Sequence, residues 1–502
     1  MQGPLRFLAS GRNGLWAALA LLAVLVACFW VGFIASDDTT YAVGAYGWID
    51  AFPYVGGHGT IRYPITIPMA LSFLTFGNNE FAFVLPSLLA LVAFLFVVWN
   101  AVRNRAGEIP AFAALIAVVT CPLIAIQASI ASVDIIEMAL LFGAFVLTLQ
   151  CTENGPSRGK LLLAGALCGL AFLTRETAVF VAVFYALLFL TGYGFVRWHY
   201  LWVAAGFLAV WGLEILYLTV MTGDPLYRFN IAMNHDSTID RTVDLAGNVI
   251  VHPVIDPLLV LFANQEFMLL MFVAVPAALW LCFGKGIAAP VKRMARLMSL
   301  FGIVWFVCVG AAQSLLPLNP RYFMITSTMA AILAGMAIGM LMCSNRIKVR
   351  WAALLVLLAL VGTNFIAIYV ENKQPAFGEE ALIAVLEAQS EPVVTDPMTR
   401  FRSRIPLRWV DGESRVSEDA PQPGDLYFYN PVRSEAPNAF MTAEQLPAYQ
   451  PAQSWDVVAT YAPEPSYLAL GLEMTGISTR IPQGLWQKLR YRHPPATLYR
   501  VK

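Results

Sequence analysis

Two aspartates, Asp37 and Asp38, stand side by side where the first long apolar segment ends. An acidic pair at the exit of a membrane helix is costly to place, so it reads as a functional site. A carboxylate within hydrogen-bond reach can take the proton of an attacking hydroxyl, and a second one beside it can raise its pKa or orient the acceptor. The plainer alternative is that either aspartate caps a helix beginning at Thr39. The next cation is Arg62, in the string Arg62-Tyr63-Pro64. Arginine forks onto phosphate oxygens and can stabilise a departing phosphate. Its alternative is an arginine that snorkels to lipid headgroups. A base and an anion-holding cation at a membrane surface suggest chemistry on a lipid-linked substrate.

Other residues of the same kind follow. Asp134 and Glu137 are one helical turn apart and share a face. Asp134 can cap its helix, whereas Glu137 enters the membrane and must face protein or water, as must Glu214. Arg175-Glu176 sits between two short apolar segments, either as a second phosphate ligand with its acidic neighbour or as a tight polar turn. Arg321-Tyr322, after Asn319-Pro320, opens a late segment as a helix start or an anion site. A polar loop further along holds Arg228, His235, Asp236 and Asp240. His235 with the two aspartates is a weak metal pattern, because no second histidine follows at helical spacing. Nor is there a Walker motif, a Gly-rich phosphate loop or a nucleophile elbow. These residues require no cofactor, and a divalent cation is left open.

The elements that must position these groups are membrane helices. The chain has 502 residues, of which 59% are hydrophobic and 13% charged. A globular domain averages about 25% charged residues. The formal net charge of zero offers nothing to nucleic acid. Seven cysteines lie in or beside apolar segments and imply no disulfide framework. Since about 20 apolar residues cross a bilayer, scanning yields about eleven spans: 14–35, 80–102, 109–127, 134–151, 160–174, 177–193, 200–221, 265–284, 296–316, 321–343 and 351–371. Lys and Arg cluster in alternate loops (Arg103 and Arg105; Arg158 and Lys160; Lys285, Lys292, Arg293 and Arg296; Arg346, Lys348 and Arg350), which places those loops and the N-terminus in the cytoplasm. Asp37, Asp38, Arg62, Asp134, Arg175 and Arg321 then fall outside, together with long loops at 36–79 and 222–264. The stretches Thr39–Ile49 and Ile61–Phe76 read as helices lying in the interface. Residues 1–371 form the membrane domain. Residues 372–502 turn polar and Pro-rich and predict a small α/β domain, with a helix at Glu379–Ala388 and strands at Pro392–Thr395, Asp425–Tyr429, Trp455–Tyr461 and Ala496–Val501.

The acidic pair, Arg62-Tyr63-Pro64, Phe76-Gly77-Asn78-Asn79-Glu80-Phe81 with Leu85-Pro86-Ser87, Asp134, Leu173-Thr174-Arg175-Glu176-Thr177, Gly223-Asp224-Pro225-Leu226-Tyr227 and Pro320-Arg321-Tyr322 occur in a distinctive order. Together, over residues 15–345, they resemble the dolichyl-phosphate-mannose-protein mannosyltransferase superfamily. Its bacterial branch contains the aminoarabinose and galacturonosyl transferases of lipid A. The resemblance implies an all-α polytopic, inverting C-type glycosyltransferase fold in the bacterial inner membrane, with a periplasmic active site under the C-terminal domain. It implies a polyprenyl-phosphate-linked sugar donor and a glycan, lipid or protein acceptor, such as lipid A or lipopolysaccharide. Asp37 would be the base and Asp38 its acidic neighbour. The residues read as substrate-binding are Tyr41, Arg62, Tyr63, Asp134, Glu137, Arg175, Glu176, Arg228, His235, Arg321 and Tyr322. Two departures separate the chain from the aminoarabinose branch: Thr40 precedes Tyr41 where that branch has Arg, and Arg-Tyr-Pro replaces Lys-Pro-Pro. A lipid flippase or transporter is the alternative, which would want charges near the bilayer midplane and repeated halves. No repeat is visible, and the acids cluster at one face.

Overall fold

The computed structural model describes residues 12–234, 252, 255–312, 318–372, 374–437, 441–490 and 493–502. It is a polytopic helical protein with a small C-terminal sheet. Each expected span overlaps a helix among the described residues. Among the described residues, six helices are long and apolar enough to cross a membrane: Glu80–Ala106, Val133–Asn154, Arg197–Thr222, Ala289–Ala311, Pro320–Met342 and Ile347–Glu371. Shorter apolar helices cover Asn13–Cys28, Tyr63–Phe76, Glu108–Val119, Glu176–Thr191 and Leu270–Phe283, and Arg158–Thr174 completes the series.

Two spans differ from the sequence expectation for clear reasons. The one expected at 109–127 breaks into Glu108–Val119 and Pro122–Gln127. Pro122 has no N–H to continue the ladder, and Thr120 turns its hydroxyl back onto the Ile116 carbonyl at 2.8 Å. The first helix stops at Cys28 rather than running on to 35. Beyond it, the Val31 N–H donates to Ser129 Oγ at 3.1 Å and the Gly32 N–H to the Ser129 carbonyl at 2.9 Å. The stretches expected as interfacial helices are helices, Asp37–Asp50 and Tyr63–Phe76.

The chain divides into two compact units. The larger holds most of the chain up to Asn372. Its core is dominated by the Glu108–Val119, Val133–Asn154, Ala289–Ala311 and Met324–Met342 helices, with Phe94, Phe142, Phe145, Phe301 and Trp305 almost fully buried. Glycine sets the closest approaches. A Cβ at Gly165 would run into the carbonyl oxygen of Val203, and one at Gly206 into that of Leu162, so the Arg158–Thr174 and Leu201–Thr222 helices touch backbone to backbone. Gly335 and Gly339 do the same against Ala113, Ala114 and Pro110. Small residues four apart give membrane helices this contact where no hydrophobic effect drives them together.

The smaller unit consists of Phe33–Ala42, Phe73–Phe83 and the residues after Asn372. Its sheet has strands β1 (Val393–Thr395), β2 (Val416–Ser417), β3 (Leu426–Tyr429), β4 (Asp456–Tyr461) and β5 (Ala496–Arg500), in the order β2-β1-β3-β5-β4. β1 runs parallel to both its neighbours, while β5 is antiparallel to β3 and β4. The Phe377–Ala388 helix covers one face through Leu382, Val385 and Leu386. Sequence reading located this helix and four of the strands. It missed the two-residue β2, too short to carry a period, and the Pro397–Trp409 helix, whose low hydrophobicity resembles a loop.

Candidate functional site

The acidic pair opens the Asp37–Asp50 helix, and its two members differ completely. Asp37 is exposed and Asp38 is 1% exposed. Asp38 accepts backbone N–H groups from Ile34 at 2.8 Å, Ser36 at 2.6 Å and Thr39 at 3.0 Å. It closes the turn that enters the helix. Burial pushes its carboxyl up to about 6, against the pull of those three N–H donors. Ala35, inside the turn, has φ of 53°, a left-handed conformation that costs a side-chain-bearing residue about 1 kcal/mol or more. Neighbours hold it there. Arg402 donates to the Ile34 carbonyl at 2.8 Å, the Phe33 N–H donates to Glu80 at 2.8 Å, and the Phe33 ring meets Phe83 and Trp409. Arg402 is itself aimed by buried Glu379, 3.0 Å away. Tyr41, one turn further on, is buried.

The larger unit gathers most of the other sequence-predicted residues. Asp134, in the first turn of the Val133–Asn154 helix, pairs with Arg175, and both are buried. The Arg175 guanidinium lies 4.3 Å from the ring centroid of Tyr322, and that of Arg321 lies 5.6 Å from the same ring. Glu137, a turn below Asp134, accepts the Thr177 hydroxyl at 2.8 Å. Glu176 lies 3.8 Å from Arg62 and accepts from Arg228 at 2.7 Å. Arg62 also sits 3.2 Å from the His58 ring.

Arg228 is a structural clamp. Its Nε and Nη2 both donate to Glu214, at 2.8 and 2.6 Å, and Nη2 also reaches the Ile61 and Leu173 carbonyls at 2.7 and 3.3 Å. One side chain thus ties the Tyr227–Asn234 helix to the Leu201–Thr222 helix, the Arg175 turn and the approach to Arg62. A cavity of about 260 Å³ opens beside it, lined by Glu176, Glu214, Phe172, Trp211 and Phe229 among others. Tyr63 faces an aromatic panel, 5.7 Å from Trp48 and 5.8 Å from Tyr217. Trp48 stacks on Tyr217 at 6.2 Å and donates to Thr66. Trp48 lies in the last turn of the Asp37–Asp50 helix.

Sequence reading did not single out Trp48, Tyr217, His58 or Arg402, and Thr177 entered it only within the string Leu173-Thr174-Arg175-Glu176-Thr177. Aromatic residues in apolar segments carry no spacing signal, and Arg402 is one of several arginines in a polar helix. His235, Asp236 and Asp240 lie outside the described residues. Among the described residues, no group of three or more His, Cys, Asp or Glu is placed to hold a metal.

Residues 65–222 match the family model described as dolichyl-phosphate-mannose-protein mannosyltransferase. No curated protein matches the chain. Among solved structures, ArnT from Cupriavidus metallidurans in the apo state is similar in fold, with TM-score 0.56 and 14% identity over 96% of this chain and 97% of that one. The same ArnT bound to undecaprenyl phosphate matches with TM-score 0.54 and 14% identity, over 97% and 98%.

Proposed function

We propose that this chain, a glycosyltransferase of the dolichyl-phosphate-mannose-protein mannosyltransferase superfamily with the C-type membrane fold, moves a sugar from a polyprenyl phosphate to an acceptor hydroxyl. The acceptor oxygen attacks the anomeric carbon while the Asp37 carboxylate takes its proton. The bond from that carbon to the phosphate oxygen breaks, the electron pair leaves with the lipid phosphate, and configuration inverts. Arg62 and Arg175 hold the departing phosphate, with Arg321 beside them. Asp38 keeps the turn that presents Asp37. Asp134, Glu137, Glu176 and Arg228 orient the arginines, and Tyr63, Tyr41 and Tyr322 contribute to donor binding. The acceptor is lipid A or lipopolysaccharide, another glycan, or a protein, met at the periplasmic face of a bacterial inner membrane with the N-terminus cytoplasmic.

The observation that carries this reading is the set of buried arginines, Arg62 and Arg175, each beside a carboxylate at one end of a helical bundle. Its support is a fold shared with ArnT, which has been solved with undecaprenyl phosphate bound. A guanidinium carries five N–H groups to divide among its partners, and pairing with a carboxylate keeps a buried arginine charged and aimed.

The test uses the purified chain in liposomes with labelled polyprenyl phosphate sugars and candidate acceptors, alongside Asp37→Asn and Arg62→Ala. Transfer by the wild type that is lost in Asp37→Asn is the expected result. Transfer untouched by both substitutions would sink the mechanism. Transbilayer movement of the lipid without transfer would make the protein a flippase.

A further inference from the structure

We propose that the end of the bundle remote from Arg62 and Arg175 binds an anionic phospholipid, with its phosphate on Arg293. A cavity of about 810 Å³ lies between the last turns of the Glu80–Ala106 and Val133–Asn154 helices and the first turn of the Ala289–Ala311 helix. Its lining changes character along the helices. Asn104, Arg105, Asn154 and Arg293 sit at the helix ends, while Val97 and Leu147 lie two turns deeper, roughly 10 Å into the bundle. A polar rim over an apolar wall suits a headgroup with an acyl chain beneath it.

The charge of the rim points to the sign of the ligand. Arg105 is neutralised by Glu153, which it meets with two N–H groups at 2.6 and 2.5 Å, and its third contact is the Ala101 carbonyl at 2.7 Å. Arg293 has a different partner. It gives an N–H to the Thr152 carbonyl and pairs with no carboxylate among the described residues. The lining therefore carries one uncompensated guanidinium and also the amide groups of Asn104 and Asn154. A phosphodiester offers two free oxygens to such a fork. Lys160, bonded to Gln150 on the same lining at 2.9 Å, adds to the field.

Depth supports the assignment to lipid. Asp134 and Glu153 lie in the first and last turns of one helix, roughly 28 Å apart at 1.5 Å per residue, close to the thickness of a bilayer core. The rim therefore belongs to the membrane surface opposite the Asp134–Arg175 pair. Charge bias makes that surface cytoplasmic, where anionic lipids concentrate.

The test is native mass spectrometry of the full-length chain in detergent, titrated separately with phosphatidylglycerol, phosphatidylethanolamine and inorganic phosphate. The wild type is expected to retain phosphatidylglycerol in preference to phosphatidylethanolamine. Arg293→Ala should weaken that retention about fivefold, as expected for one basic group at a membrane surface, with Arg293→Lys recovering part of it. Asn104→Asp and Asn154→Asp, both at exposed positions that tolerate substitution, should weaken it similarly and decide the matter if Arg293→Ala does not fold. Equal retention by wild type and all variants would overturn the proposal, leaving only annular lipid. Competition by inorganic phosphate as strong as that of the lipid would overturn it too, making this a free-phosphate site. Neither readout depends on sugar transfer, so failure here is distinct from failure of the transferase reading.

Discussion

Asp37 and Asp38 are neighbours in the chain and opposites in environment: one carboxylate is exposed, and the other is buried beneath three backbone N–H groups. Their substitutions should separate accordingly. Asp37→Asn is expected to lower sugar transfer at least ~100-fold, the scale of a lost general base, with apparent Tm unchanged. Asp38→Ala is expected to lower apparent Tm by the equivalent of about 1 kcal/mol or more. The reverse pattern would move the base to Asp38.

The buried carboxyl also makes a pH prediction. Asp38 titrates near 6 in the folded chain, above its ordinary value of 3.8. Between those values the folded state keeps a proton that the unfolded state has lost, so this group's contribution falls as pH rises. It is fully present below about 4, is lost by up to about 3 kcal/mol through pH 6, and is level above that. Comparing apparent Tm of wild type and Asp38→Asn across that window isolates the slope. Parallel curves would exclude it.

Arg62 and Arg175 should fail differently. Arg175→Ala strands the buried Asp134 carboxylate, which typically costs about 3–5 kcal/mol, so the variant should melt early. Arg62 lies 3.8 Å from a partly exposed Glu176. Arg62→Ala should therefore fold and lose donor affinity by roughly tenfold or more, on the scale of a charge-assisted hydrogen bond. Donor titration and thermal melts of both variants check this.

Arg228 and Glu214 offer a test of structural against chemical roles. Arg228→Met strands the buried Glu214 carboxylate, at a cost of about 3 kcal/mol or more, and Glu214→Leu leaves Arg228 with Glu176 as its carboxylate partner, at a smaller cost. The double variant should recover much of that loss. Additive losses in apparent Tm would mean that the two side chains act independently.

Much of this architecture was legible in the sequence because the bilayer imposes a length and a polarity that composition must satisfy. The spans, the helix Phe377–Ala388 and four of the five strands followed from those patterns. The pairing within the site did not. Nothing in the strings Asp134 and Arg175 announces that they meet, because the partners come from different helices. Arg228 resembled a stray cation in a polar loop, and its role depends on Glu214, a residue noticed only for its depth. The split between Asp37 and Asp38 was equally hidden, since it turns on the left-handed Ala35 and on Arg402, hundreds of residues away in the chain.

The backbone contact at Gly165 and Gly206 has a bearing on how the protein meets membranes of different thickness. Two helices that touch main chain to main chain cannot slide or roll past each other without collision, so they tilt as one plate. Arg175 follows the end of one helix and Glu214 lies on the other. The distance between the Arg175 turn and Glu214, which Arg228 bridges by bonding Glu214 and the Leu173 carbonyl, is thereby insulated from the lipid, and adjustment to a thinner or thicker bilayer must be absorbed by the helices outside that plate.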